Sequence, residues 1–398
     1  MNLDRRTFAK LLLAAGPLGL AGCLDRTRYT EEDVARLEAQ RREEKEKSGT
    51  GPYGVRRYQG YRGLSELPWF DLDDQGRLQC TVRDFPPIVD VHEHLGMSLL
   101  LAPEIDLQAR TPRVRHLLDC DAEEPGSELD LDVYINANFS PAQLRTLRRT
   151  VVGRLIWGGG PAATHTIPNL LDEMDATGVE RSLILPIAFG LPFGDNLTER
   201  YRGAIAEADV GDRLIPAASI HPNDPERIEK LRRYAEQGAR VVKLHPTAQR
   251  FYPDAPEAME IYEECGRLGV TVFFHGGRAG IEPEYSQQFA LMRYYEPSIA
   301  GFPHVQFVLG HSGARDVGDA IPLAQRYENA WLDIHGQGVT LLDEIIRRVG
   351  SDRLLFGTDW PFYHLAATLA KVLIVTERRP AVREAILRNN ALRLLGIS

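Results

Sequence analysis

Residues Ile88–Gly96 read IVDVHEHLG, an apolar, strand-like run that ends in two histidines flanking a glutamate. Side chains alternate faces along a strand, so Asp90, His92 and His94 share one face, and Val91 and Glu93 share the other. Two imidazoles two residues apart can converge on one point, which makes this strand end a candidate metal site. A lone His-x-His pair is a weak signal, and the rest of the chain must supply its context.

The context is a rhythm. Further apolar, β-branched runs follow: RSLILPIAF, LIPAASIHP, ARVVKLHP, VTVFFHGG, VQFVLGHSG, AWLDIHG and RLLFGTDWPF, which with IVDVH make eight strand candidates. Amphipathic stretches separate them, among them DPERIEKLRRYAEQG, with Asp224 as N-cap and Gly238 as C-cap, and DEIIRRVG. Repeated β-then-α units with near-continuous apolar strands predict a parallel sheet covered by helices. The count of eight selects an α/β (β/α)8 TIM barrel over an open doubly wound sheet, and no Gly-x-Gly-x-x-Gly turn follows the first strand. The barrel is expected over residues 87–398.

One unit is abnormal. About seventy residues separate His94 from the helix near Pro168, where a βα loop usually takes about 2–6. Residues 95–165 are therefore expected to form an insertion over the C-terminal face of the barrel, as a lid or specificity element. It contains the helical pattern SPAQLRTLRRTVVGRLI and the acidic run DCDAEEPGSELDLD. That run lacks the ordered spacing of an EF-hand loop and reads as a solvated face.

Bulk composition sets outer bounds. The chain has 398 residues, with 43% hydrophobic and 26% charged, as in ordinary globular proteins. A formal net charge of −9 argues against a nucleic-acid partner, which needs a basic footprint. The first residues read as an export signal: Arg5-Arg6 precede a short apolar run that ends at Leu20-Ala21-Gly22-Cys23. The pattern resembles a twin-arginine signal followed by a bacterial lipobox. That resemblance implies a signal over residues 1–23, lipidation of Cys23, and a protein anchored on the periplasmic face of a bacterial membrane. Twin-arginine export moves folded proteins, which suits a cofactor loaded beforehand. Residues 24–52 are highly charged and read as a flexible tether or solvated helix. Residues 53–86 read as a small appendage with a hairpin around Asp73-Asp74-Gln75-Gly76. In an exported protein Cys80 and Cys120 are the first pair to consider for a disulfide, whereas Cys265 lies in a helical pattern and reads as a buried apolar residue.

The ionisable residues fall where a barrel places its catalytic groups, at the C-terminal strand ends. Strand one ends in His92 and His94, strand four carries Lys243 and His245, and strand five ends in His275. Strands six, seven and eight end in His311, His335 and Asp359. The whole chain has only 11 histidines, so chance gathering of polar residues at loop starts does not account for this ring. Three histidines and a carboxylate suit Zn²⁺ or another borderline divalent ion with an open position for water. Such an ion lowers the pKa of its water towards about 7, and a neighbouring carboxylate can take up the released proton. His311 is placed to polarise a substrate oxygen or to align the nucleophile.

The ordered set VDVHEH, VVKLHP, VFFHGG, FVLGHSG, LLFGTDWPF and ILRNNALRLLGI resembles the amidohydrolase superfamily, in its amidohydrolase-related branch. That branch also holds decarboxylases of the aminocarboxymuconate-semialdehyde type. The match runs from about Pro87 to the C-terminus. It implies the same barrel, metal binding by His92, His94, His275 and Asp359, and a catalytic or second-metal role for His311. In two-metal members a strand-four lysine is carboxylated and bridges both ions, so Lys243 is either such a bridge or a free amine facing substrate. One or two ions are accordingly open.

Around the same mouth, His245 and His335 read as site-lining residues. Arg278 and Arg315 begin loops there, and either can clamp a substrate carboxylate. Trp360, Phe362 and Tyr363 either wall the pocket or pack the last helix. The expected partners are a small-molecule substrate and, through Cys23, a membrane, with a homo-oligomer left open. Three functions are weighed: a hydrolase of an amide, lactone or ester-like bond, a non-oxidative decarboxylase of an unsaturated or aromatic acid, and a non-catalytic ligand-binding lipoprotein. The complete ligand set favours an enzyme.

Overall fold

The computed structural model describes residues 24–397 except 83, 98–103, 123, 141, 148–159 and 192–194. Arg5, Arg6 and Cys23 lie outside the described residues, as do residues 148–156 of the helical pattern in the insertion.

The charged stretch that reads as a tether is instead a docked helix, α1 (Glu31–Lys47). Its ends follow from local chemistry. Thr30 and Asp33 form a reciprocal capping box, Glu31, Glu32 and Asp33 fill the first turn, and Lys45 and Lys47 fill the last. What composition cannot reveal is that the rest of the fold carries partners for three of the helix's charged residues. Arg293 grips Asp33 at 2.7 and 2.9 Å, Arg41 Nη2 donates to the Gly280 carbonyl at 2.7 Å, and Glu44 is paired with Arg315. Just before the helix, Tyr29 is fully buried and its hydroxyl donates to Gln287 at 2.8 Å.

Strand β1 (Arg57–Gln59) precedes the expected hairpin, β2 (Phe70–Leu72) and β3 (Leu78–Cys80), whose turn is tied by Asp73 accepting from the backbone of Gln75 and Arg77. Cys80 and Cys120 are both buried as thiols and no disulfide joins them. After β4 (Ile88–Glu93) comes the long insertion, whose strand β5 (Glu128–Asp130) pairs antiparallel with β1. The insertion and the N-terminal appendage are thus stitched together.

The remaining strands are all parallel: β6 (Val179–Ile184), β7 (Leu214–Pro216), β8 (Ala218–Ser219), β9 (Val241–Leu244), β10 (Thr271–Phe274), β11 (Phe307–Leu309), β12 (Ala330–Asp333) and β13 (Leu354–Leu355). Their order is β4-β6-β7 and β8-β9-β10-β11-β12-β13. β7 and β8 are two halves of one barrel strand, since the Ala217 N–H between them still donates to Ile184 at 3.0 Å. The ring closes where the chain after β13 meets β4: Val91 donates to Phe356 (2.9 Å), Asp359 to His92 (2.7 Å) and His94 to Trp360 (2.7 Å). The fold is therefore the (β/α)8 barrel.

Each barrel strand gives side chains to an inner cluster, with Val89, Leu183, Ala217, Val241, Phe273, Val308, Trp331 and Leu355 packed together and covered by Ala391 and Leu395. Their sequence neighbours, such as Ile88, Val242, Val272 and Leu332, pack outward with the helices. Strict alternation would put Val91 and His92 on opposite faces. A register irregularity between Asp90 and Glu93 breaks it, so that Val91 joins the cluster of Phe273 while the His92 ring also sits 5.0 Å from the Phe273 ring. Bulges of this kind re-aim side chains at active sites.

Candidate metal centre and active site

Hydrogen bonds fix the tautomers of the two strand-one histidines. His94 Nδ1 lies 2.6 Å from the Leu185 carbonyl, which can only accept, so this nitrogen carries the proton. His92 Nδ1 lies 2.8 Å from Asp333 Oδ2. Both rings therefore present an unprotonated Nε2. Burial, reinforced by Lys243 and His311, holds the His92 imidazole well below its ordinary pKa and keeps it neutral.

These two nitrogens face Asp359 Oδ1, at 3.5 Å for His92 and 3.2 Å for His94. Three acceptors thus converge, and of them only His92 Nε2 has a donor within reach among the described residues, the Lys243 amine at 3.3 Å. The repulsion between the three acceptors is relieved further by a cation held among them. A set of two neutral imidazole nitrogens and one carboxylate oxygen fits a borderline divalent ion. The other carboxylate oxygen of Asp359, Oδ2, is 3.7 Å from His335 Nε2. Both ring nitrogens of fully buried His335, and Nδ1 of His311, have no hydrogen-bond partner among the described residues. Burying polar atoms without partners is costly unless a ligand meets them.

Asp333, at the end of β12, organises the floor. Besides His92 it accepts the backbone N–H of His311 at 3.0 Å and that of His335 at 3.0 Å. Burial raises its pKa to about 7, opposed by those two N–H donors. Gly357 is required beside it, because a Cβ there would lie 2.3 Å from Asp333 Oδ1 and 2.8 Å from His92 Cβ. The backbone is strained at the reacting groups: His311, Ser312 and Asp359 have φ of +57°, +51° and +59°. Positive φ at non-glycine residues costs about 1–3 kcal/mol each and gathers at functional sites.

Lys243 enters from β9. It is fully buried, with Nζ 3.3 Å from His92 Nε2 and 4.6 Å from the centre of the Phe273 ring. Burial lowers its pKa to about 8 against the pull of Asp359 and Asp333. His275 stands apart from the three converging acceptors. Its Nδ1 is 3.1 Å from His311 Nε2, and its ring stacks on His245 at 4.1 Å. Burial lowers His275 to about 3 and His335 to about 4. His245 caps the following turn through Nδ1, which accepts from Ala248.

Two expected substrate contacts are corrected. Arg278 is 1% exposed and fully engaged: it holds Asp316 through Nε (2.9 Å) and Nη2 (2.5 Å), and donates to the Asp33 carbonyl (2.6 Å). It locks α1 to the barrel and does not clamp substrate. Trp360 is likewise fully buried, against His165 at 6.0 Å, and serves the site through its carbonyl, which receives the His94 N–H. Arg315 bonds Glu44 and Gln40 of α1. Phe362 and Tyr363 do wall the site, with rings 5.8 Å from His94 and 4.9 Å from His335.

Sequence reasoning passed over Asp333. A signal existed, because Asp-Ile-His at 333–335 repeats the Asp-Val-His of 90–92. In both, the carboxylate accepts the backbone N–H of the histidine two residues on, at 2.8 Å in the first and 3.0 Å in the second.

A parallel barrel with histidines and one aspartate gathered at its C-terminal mouth is the architecture of a metal-dependent barrel enzyme. Residues 162–397, more than half of the chain, match the amidohydrolase family, and the chain belongs to that family. A dihydroorotase of Helicobacter pylori (strain HPAG1) is 29% identical over 138 residues, which is 32% of this chain and 39% of that relative, so the match spans well under two thirds of its length. Among solved structures, a TIM-barrel protein of Bordetella bronchiseptica is similar with a TM-score of 0.55 and 20% identity, over 78% of this chain and 98% of that one. A 2,6-dihydroxybenzoate decarboxylase from Rhizobium has a TM-score of 0.50 and 19% identity, also over 78% and 98%. These two likenesses bear on the fold.

Proposed function

We propose that the protein is a metal-dependent hydrolase that cleaves an amide, lactone or ester-like bond of a small molecule. The observation that carries the reading is the double facing of Asp359: one oxygen towards His92 and His94, the other towards His335. His92, His94 and Asp359 would hold the ion, with His275 as fourth ligand through the Nε2 that its bond to His311 leaves over. Zn²⁺ is the ion we propose for these donors. When bound, it would polarise a water and lower the pKa of that water towards about 7.

The chain's own residues would do the rest. Asp359 Oδ2 takes the proton released from the attacking water and hands it to the leaving group. His335 and His311, whose buried ring nitrogens are left without partners among the described residues, would bind and orient the substrate oxygen. Asp333 holds His92 in the tautomer that keeps Nε2 unprotonated. Lys243 stays an unmodified amine beside His92.

One observation favours a second reading, decarboxylation. Buried Lys243 sets a cationic group next to His92 Nε2, where it would hold a substrate carboxylate. A screen of lactones, amides and unsaturated or aromatic acids tests both readings. Oxygen from labelled water in the product supports the hydrolase, and CO₂ from a carboxyl-labelled acid, with no oxygen incorporated, supports the lyase. Export and lipidation at Cys23 belong to the same proposal and rest on Arg5, Arg6 and Cys23.

A further inference from the structure

Helix α1 and the insertion flank a half-open cavity of about 260 Å³ that the proposed reaction does not use. That is room for roughly eight or nine waters at ~30 Å³ each. Four cationic side chains line it: Arg41, Arg42 and Lys45 from α1, and Arg315 from the loop after β11. Among the described residues no carboxylate lines it, in a chain whose net charge is −9. Glu38 answers Arg41 and Glu44 answers Arg315. Arg42 and Lys45 have no ion-pair partner among the described residues, so the cavity keeps an excess of positive charge.

Arg315 is 7% exposed and is held by Gln40 and Glu44 of α1, so its charge is fixed beside the cleft. The opposite wall is apolar, made by Ala137, Phe139 and Leu144. The site is separate from the metal centre. Its inner wall is Asn136, which accepts from the Tyr363 hydroxyl, and the Tyr363 ring lies between that bond and His335.

We propose that this cavity is an accessory binding site for a small organic carboxylate with a compact apolar body. Its carboxylate meets the exposed Arg42 and Lys45, and its body lies on Phe139 and Leu144. The ligand bridges α1 to the insertion.

The test is calorimetric titration of the full chain with benzoate as probe and benzamide as its uncharged isostere. It is run on the parent, on the double variant R42Q/K45Q and on H92A. Arg42 and Lys45 are exposed, so the double variant alters charge without disturbing the core. The proposal expects saturable benzoate binding that weakens at least about tenfold in R42Q/K45Q, persists in H92A and is absent with benzamide. Unchanged binding in R42Q/K45Q, equal binding of benzamide, or no saturable binding of benzoate at millimolar concentration would overturn it. Loss in H92A with retention in R42Q/K45Q would also overturn it, by assigning the benzoate to the metal centre. If H92A does not fold, R42Q/K45Q and benzamide still decide the matter.

Discussion

Asp333 Oδ2 and His92 Nδ1 lie 2.8 Å apart, and this contact links strands β12 and β4 across the barrel mouth. The carboxylate fixes the imidazole tautomer, and thereby the nitrogen offered to an ion. Removing such an outer carboxylate typically costs about 10–100-fold in metal affinity. Asp333→Ala is expected to show that loss, and Asp333→Asn a smaller one, because the amide oxygen can still accept from His92. Competition with a chelator of known affinity measures both, with circular dichroism as the check on folding. Wild-type affinity in Asp333→Ala would remove the positioning role.

Metal content tests the ligand set. His92→Ala, His94→Ala and His275→Ala are each expected to lose most of the bound ion by elemental analysis. Retention in His275→Ala alone would reduce the set to the three side chains that already converge.

Stoichiometry separates the two roles of Lys243. One ion per metal-replete chain is expected, with the amine unmodified beside His92. Two ions, both lost in Lys243→Ala, would instead indicate a carboxylated bridge.

Asp359→Asn keeps the shape of the side chain but cannot accept a proton. The variant is expected to fold, to retain some metal, and to lose turnover by ~10²–10⁴-fold, as is typical when a general base is removed. Steady-state rates on whichever substrate the screen identifies provide the measurement. Undiminished turnover would rule out Asp359 as the base.

Arg278 distinguishes a structural pair from a substrate clamp. Arg278→Met leaves the Asp316 carboxylate buried at 2% exposure without its partner, and breaking such a pair costs about 3–5 kcal/mol. Chemical denaturation should report that loss. Unaltered stability with a raised KM would restore the clamp.

Anchoring is read from cell fractionation. Cys23→Ser is expected to release a soluble protein, and Lys in place of both Arg5 and Arg6 to block export. A Cys23→Ser protein that stays with the membrane would refute the lipoprotein reading. Leu24 packs with Tyr29, Leu291 and Tyr294, so a lipid one residue earlier would hold this face of the barrel at the bilayer with no spacer.

The barrel was legible in the sequence because it is a local, repeated signal. Eight apolar runs, each followed by an amphipathic stretch, state a parallel sheet without any knowledge of its contacts. The ring of His92, His94, Lys243, His275, His311, His335 and Asp359 was legible for the same reason: in a barrel, strand ends share one mouth. Tertiary structure alone decided what depends on partners far apart in the chain. It turned His92 through a register irregularity that no periodicity announces, and made Asp333 its hydrogen-bond partner across 241 positions. It also withdrew Arg278 from the mouth by pairing it with Asp316, and docked α1 on the barrel through Asp33 on Arg293, Arg41 on Gly280 and Glu44 on Arg315. Composition records how many charges a segment carries, whereas their energy depends on which opposite charge the fold sets beside each one.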